Sequence, residues 1–132
     1  MLTTVISFTG NCNEAISFYK EALGAEVKSI NYFKDAPENH GMEELPPEFV
    51  MHSEVLISGS MINMTDGAEG NFSDDNFSFL IIKDTADEVS ELYHKLSEGG
   101  KVIEELAPVF WASMYGMVVD CFGICWQMMT SE

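Results

Sequence analysis

Hydrophobic and polar positions change period several times along this chain, and the changes mark out its elements. Residues 2–8 are rich in β-branched and apolar side chains and stop at Gly10-Asn11, which predicts a first strand ending in a turn. From 12 to 23 the period becomes helical: Ala15, Ile16, Phe18, Tyr19, Ala22 and Leu23 fall on one stripe, while Asn13, Ser17, Lys20 and Glu21 face away. Asn11 with Glu14 three residues later predicts a capping-box-like helix start, and Gly24 a left-handed stop. A strand resumes over 26–33. The acidic, Pro-containing stretch 34–48 is too polar and broken to be a core element. Residues 49–57 and 60–65 read as two more strands, joined by a tight turn at Ser58-Gly59.

The same plan then begins again. Residues 67–75, small and polar, form the expected linker. A strand at 77–83 leads to Asp84 or Thr85, either of which can cap a helix over 86–97 whose Val89, Leu92, Tyr93 and Leu96 make the apolar stripe, and Gly99-Gly100 ends it. A strand at 101–105, an aromatic loop at 108–111, a strand at 113–120, a turn at Cys121-Phe122-Gly123 and a last strand at 124–129 complete the half. The order βαβββ therefore occurs twice, as module one (1–66) and module two (76–132). Each half has one apolar helix face and one sheet to accommodate, which predicts an α+β domain with Ala15, Phe18, Tyr19, Leu92 and Leu96 packed on the sheets.

Composition narrows the functional classes. A chain of 132 residues with 46% hydrophobic content can close one core. It contains no run of about 18 apolar residues, and its start lacks a basic leader, so a cytoplasmic protein with no membrane span is expected. Twenty-two acidic residues oppose six basic ones, a formal charge of −16. Phosphate backbones and anionic lipid would be repelled, which argues against nucleic-acid or membrane partners. Cys12, Cys121 and Cys125 match neither a CxxC pair nor a zinc pattern, and are expected to pack as small hydrophobes in a reducing compartment.

Particular residues carry a family likeness. Phe8-Thr9-Gly10-Asn11-Cys12 with Ala15 and Phe18-Tyr19, then Met51-His52, then Phe110-Trp111-Ala112 leading to Gly116-Met117 and Asp120-x-Phe122-Gly123-x-x-Trp126, resemble the vicinal-oxygen-chelate superfamily. That superfamily includes glyoxalase, bleomycin- and fosfomycin-resistance proteins and extradiol dioxygenases. More narrowly the chain resembles its PhnB-like branch, often labelled by similarity to demethylubiquinone methyltransferase. The resemblance implies two βαβββ modules curling into a cup-shaped mixed sheet, frequently as a homodimer. It also implies a divalent metal held by His and Glu from the first and last strands of both modules. Carried onto this chain, those positions are Thr4 (or Thr3, if Ile6 and Phe8 face the helix), Asn63, Phe77 and Gln127. Amides, a hydroxyl and a phenyl ring cannot replace imidazoles and carboxylates. No metal cofactor is therefore expected, and Asp66 and Asp120, at strand ends, are expected to stay hydrated.

What remains is a pocket without metal chemistry. Met61, Asn63 and Thr65 should share one face of their strand, and Cys125, Gln127 and Met129 one face of theirs, with Trp126 turned to the helix. His52 sits in a strand beside this face, whereas His40 and His94 are expected in solvent. Thr4, His52, Met61, Asn63, Phe77, Trp111, Tyr115 and Gln127 are thus the expected ligand-binding residues, the amides orienting a small amphipathic molecule in an apolar surround. The alternative class is an enzyme of the same superfamily: a metal-dependent lyase, thiol transferase or dioxygenase, or a catalyst using His52 as general base.

Overall fold

A computed structural model of the chain describes residues 1–35, 45–68 and 77–131. The chain divides into two compact units, Met1–Asn71 and Phe72–Glu132. The first contains β1 (Thr4–Phe8), α1 (Cys12–Leu23), β2 (Glu26–Tyr32), a 3-10 turn (Phe33–Asp35), β3 (Val50–Ile57) and β4 (Ser60–Asp66). The second contains β5 (Phe79–Lys83), α2 (Ala86–Ser97), β6 (Lys101–Val109), β7 (Ala112–Val119) and β8 (Cys125–Thr130). Each is a four-stranded sheet with one helix, in the order β1-β4-β3-β2 and β5-β8-β7-β6, the first and last strands parallel and the others antiparallel. The twice-repeated βαβββ plan is thus observed, with both helices where their periodicity predicts. His40 and most of the expected linker lie outside the described residues.

In the first unit Ile6, Phe8, Val55, Ile57, Ile62 and Met64 are buried on the sheet face under α1, against Ala15, Ile16 and Tyr19. In the second, Val118, Trp126 and Met128 are buried under Val89, Leu92 and Leu96 of α2. Phe18 is only half-buried, at the margin of its stripe. Gly116 explains how closely α2 approaches: a Cβ there would lie 3.0 Å from both Tyr93 Cδ2 and Leu106 Cδ2.

The extent of β6 and the start of α1 differ from the sequence reading. β6 runs through Val109, so Pro108 and Val109 belong to a strand rather than to the loop. Its register shifts against β7 in three places, and it is an edge strand, where a proline costs no ladder hydrogen bond. At the start of α1 the expected capping box is absent. Asn11 makes no side-chain cap bond, and its buried Oδ1 has no hydrogen-bond partner.

The carboxylate of Asp66 takes over the capping role. Its Oδ1 accepts from the N–H groups of Gly10 (2.9 Å) and Cys12 (3.0 Å), and its Oδ2 from the N–H of Val50 (2.9 Å). A full negative charge at the helix N-terminus is a stronger acceptor than a neutral amide. Gly10 is needed for this approach: its φ is +122°, and a Cβ would come within 2.7 Å of the Phe49 ring. Thr130 stands at the corresponding register position of the second unit and accepts from the Met114 N–H at 3.2 Å. Being short and neutral, it does not cap the helix, and α2 is closed by its own capping box, Thr85 with Glu88.

Asp120 is the second buried carboxylate. Its Oδ1 accepts from the N–H groups of Phe122 (2.8 Å) and Ile124 (3.0 Å), and its Oδ2 from Trp126 Nε1 (2.8 Å). The expectation that Asp66 and Asp120 stay hydrated is overturned, since they are only 8% and 3% exposed. Bonds to backbone N–H groups, and for Asp120 to the indole as well, replace the lost water.

Two outcomes follow. Asp66→Ala strands three N–H groups and should lower the unfolding free energy in urea by about 3 kcal/mol; a loss below about 1 kcal/mol would show that the carboxylate does not hold this corner together. Burial, with the Asp66 charge beside it, pushes the Cys12 thiol from 9.0 up to about 12. The folded state then retains a proton that the unfolded chain releases, so stability present below pH 9 is lost as pH rises from 9.0 to about 12. The expected slope is about 1.4 kcal/mol per pH unit, and Cys12→Ala should remove it from unfolding curves measured across that range.

Candidate functional site

Strand alternation gives each sheet a second face, turned away from its helix. On the second unit that face carries Ser78, just before β5, with Leu80 and Ile82 of β5, Tyr115 and Met117 of β7, and Gln127 and Met129 of β8. Leu80 and Ile82 are 48% and 52% exposed. A connected polar line crosses this apolar surface. The Tyr115 hydroxyl donates to Gln127 Oε1 at 2.6 Å, and Gln127 Nε2 donates to Ser78 Oγ at 2.7 Å. Burial, then the Glu104 carboxylate, push the Tyr115 phenol up, so it stays a donor at neutral pH. Since Ser78 accepts from the amide, its own proton is left to point at an acceptor outside the chain of bonds.

On the first unit the corresponding face carries Val5 and Ser7, Glu54, and Asn63 and Thr65. Asn63 lies between Val5 and Glu54 in the ladder; Ser29 Oγ donates to Glu54 Oε1 at 3.1 Å, and the Ser7 and Thr65 hydroxyls are 3.3 Å apart. Met61 shares this side of β4 and is 40% exposed. His52 is exposed on β3, paired in register with Asn31. Met51 is the extra residue between Asn31–His52 and Tyr32–Val50, and this bulge turns Val50 into the core although simple alternation puts it with His52.

Two of the expected positions move. Thr4 alternates with the buried Ile6 and Phe8 and so lies on the helix side of β1; Val5 is the residue paired with Asn63. Phe77 precedes β5, is 56% exposed and stacks 5.2 Å from Phe79, whose ring rests on the buried Trp126. A shift of one residue exchanges the faces of a strand, and Ser78 and Leu80 stand where Phe77 was expected. Asn63 and Gln127 keep their places. Trp111 is 51% exposed in the turn after β6, its ring 5.8 Å from Tyr115. The sequence reading missed Ser78 and Glu54, although the alternation of Ser78 with Leu80 and Ile82 was a signal for the first.

A divalent transition metal does not fit these residues. Val5, Asn63, Leu80 or Ser78, and Gln127 offer neither imidazole nor carboxylate, and both amide atoms of Gln127 are engaged by protein partners. Among the described residues, no group of three or more His, Cys, Asp and Glu side chains is placed to hold a metal ion. Nor is any helix among them long and apolar enough to cross a membrane.

Two four-stranded sheets, each with one helix, define the glyoxalase-like fold class. The fold matches that of the fosfomycin resistance protein FosX from Listeria monocytogenes, of which a mutant was solved with Mn(II) and dihydroxypropylphosphonic acid. The TM-score is 0.70 at 11% identity, over 100% of this chain and 91% of that one. A PhnB protein from Bacillus cereus superposes with a TM-score of 0.83 at 24% identity, over 98% of both chains. In sequence, the chain is 31% identical to protein YjdN of Escherichia coli K12, over 96% of this chain and 92% of that protein. The family described as 3-demethylubiquinone-9 3-methyltransferase matches residues 1–129, and the chain belongs to that family.

The polar line on the second sheet is open to a direct measurement. Tyr115→Phe removes the donor to a part-buried amide oxygen and should cost about 1 kcal/mol of stability. Combined with Gln127→Ala it should cost less than the sum of the two single changes; strict additivity in urea unfolding would mean that the bond contributes nothing.

Proposed function

We propose that this protein binds a small, neutral, amphipathic molecule on the helix-free face of its second sheet, without a metal. The observation that carries this reading is the run of hydrogen bonds from Tyr115 through Gln127 to Ser78, set among Leu80, Ile82, Met117 and Met129. An apolar surface with a few fixed polar groups is the usual composition of a small-molecule site. Here the fixed group is a serine hydroxyl held by an amide, suited to donate to a carbonyl, quinone or ether oxygen. Its orientation is set before the ligand arrives, which reduces the ordering cost of binding.

The described residues placed on this face above include no lysine or arginine, which also bears on the ligand. A chain of charge −16 offers a poor surface to carboxylates and phosphates. A molecule with an apolar body and one or two neutral oxygens matches it. In this reading Gln127 serves as a positioning residue: it stands at the last-strand position where the superfamily's metal ligand falls, and orients Ser78.

Thermal-shift screening against neutral quinones, aromatic ketones and alcohols, followed by calorimetry on the hits, tests the proposal. A hit should lose about tenfold in affinity on Ser78→Ala and on Gln127→Ala, corresponding to one buried hydrogen bond, and should bind equally well with and without EDTA. Stoichiometric Zn, Ni, Mn or Fe in protein purified without chelator, with ligand binding that depends on it, would falsify the metal-free site.

A further inference from the structure

The hairpin joining β6 to β7 turns on Phe110 and Trp111, between the paired residues Val109 and Ala112. Turn tips are ordinarily polar, yet Phe110 is 96% and Trp111 51% exposed, so both rings present apolar area to water. Their mutual geometry is that of a corner. The Phe110 and Trp111 ring centroids are 4.7 Å apart with planes at 87°, and Trp111 meets Tyr115 at 5.8 Å and 67°. Rings set near right angles turn more than one π face toward a common space. Beside them runs an open groove of about 860 Å³, lined by Pro108, Phe110, Trp111, Ser113, Ser131 and Asp84 among others. Asp84 is the charged residue in this lining, which includes no lysine or arginine; Lys83 precedes it in the chain but is not part of the lining. The two ion pairs found among the described residues, Lys28–Glu26 and Lys95–Glu91, lie elsewhere.

We propose that this groove is a second site, one for a small organic cation carrying a quaternary ammonium group. The negative faces of aromatic rings attract a cation within about 6 Å, and the Asp84 carboxylate supplies the opposite charge. A quaternary ammonium has no N–H to satisfy and is weakly hydrated, so ring faces can replace its water at little cost, whereas a lysine-like ammonium would leave its donors unmatched. The charge of −16 raises the local concentration of any cation and disfavours anions at the same groove. This site does not depend on the neutral-ligand reading: Tyr115 touches Trp111 but does not line the groove, and its hydroxyl is committed to Gln127.

Choline, and its neutral isostere in which carbon replaces the nitrogen, are the probes, titrated into the whole protein by calorimetry and by Trp111 fluorescence. Choline is expected to bind saturably and at least about tenfold more tightly than the isostere. Trp111→Ala and Asp84→Asn should each weaken it by about tenfold at low salt. Asp84 is exposed, so its substitution serves if the ring variant misfolds, and the buried Trp126 reports on folding in both. Gln127→Ala should leave choline binding unchanged while weakening the neutral ligand about tenfold, which separates the two sites. Equal affinity for choline and its isostere, no saturable choline binding by the folded wild type, or affinity indifferent to both substitutions would overturn the proposal.

Discussion

A carboxylate taken out of water must have its lone pairs satisfied, and much of the first unit is arranged around that requirement at Asp66. Its two oxygens gather N–H groups from the turn after β1, from the first residue of α1 and from the start of β3. Two chain segments far apart in sequence, residues 10–12 and Val50, are thereby fixed to the end of β4. The helix approaches over Gly10 because no side chain fits there against Phe49. Cys12, fully buried beside the charge, is kept as a neutral thiol.

The second unit solves the same problems with different chemistry. Its helix is closed locally by Thr85 and Glu88, and Thr130 retains the link to the start of the third strand. The buried charge has moved to Asp120, where it closes the β7–β8 turn and holds the indole of Trp126. The most specific stretch of the family likeness, Asp120-x-Phe122-Gly123-x-x-Trp126, is accordingly a structural device. In the first unit the corresponding hairpin needs no such clamp, since Ser58 and Gly59 both adopt positive φ and close it in two residues.

The free sheet faces inherit the consequences. With Trp126 anchored under α2, alternation sends Gln127 to the opposite side, and the parallel pairing of β5 with β8 brings Ser78 and Leu80 beside it. The residues there are those of a hydrogen-bonding surface. At Gln127, where the family resemblance implies a metal ligand, this chain has an amide already occupied by a phenol and a serine.

Period and punctuation alone determined the two βαβββ modules, the limits of both helices, the Ser58-Gly59 turn and the side to which Trp126 and Gln127 point, because those features are set by local geometry and by which residues avoid water. Asn63 and Gln127 were legible for the same reason. The tertiary structure decided the rest. Whether Asn11 or Asp66 caps α1 depends on a residue 54 positions away. Whether Thr4 or Val5 faces Asn63, and whether Phe77 or Ser78 meets Gln127, turns on a one-residue register that parallel pairing fixes and composition does not. The burial of Asp66 and Asp120 was likewise invisible: an aspartate at a strand end reads as solvated until the N–H donors that replace its water are brought together by the fold.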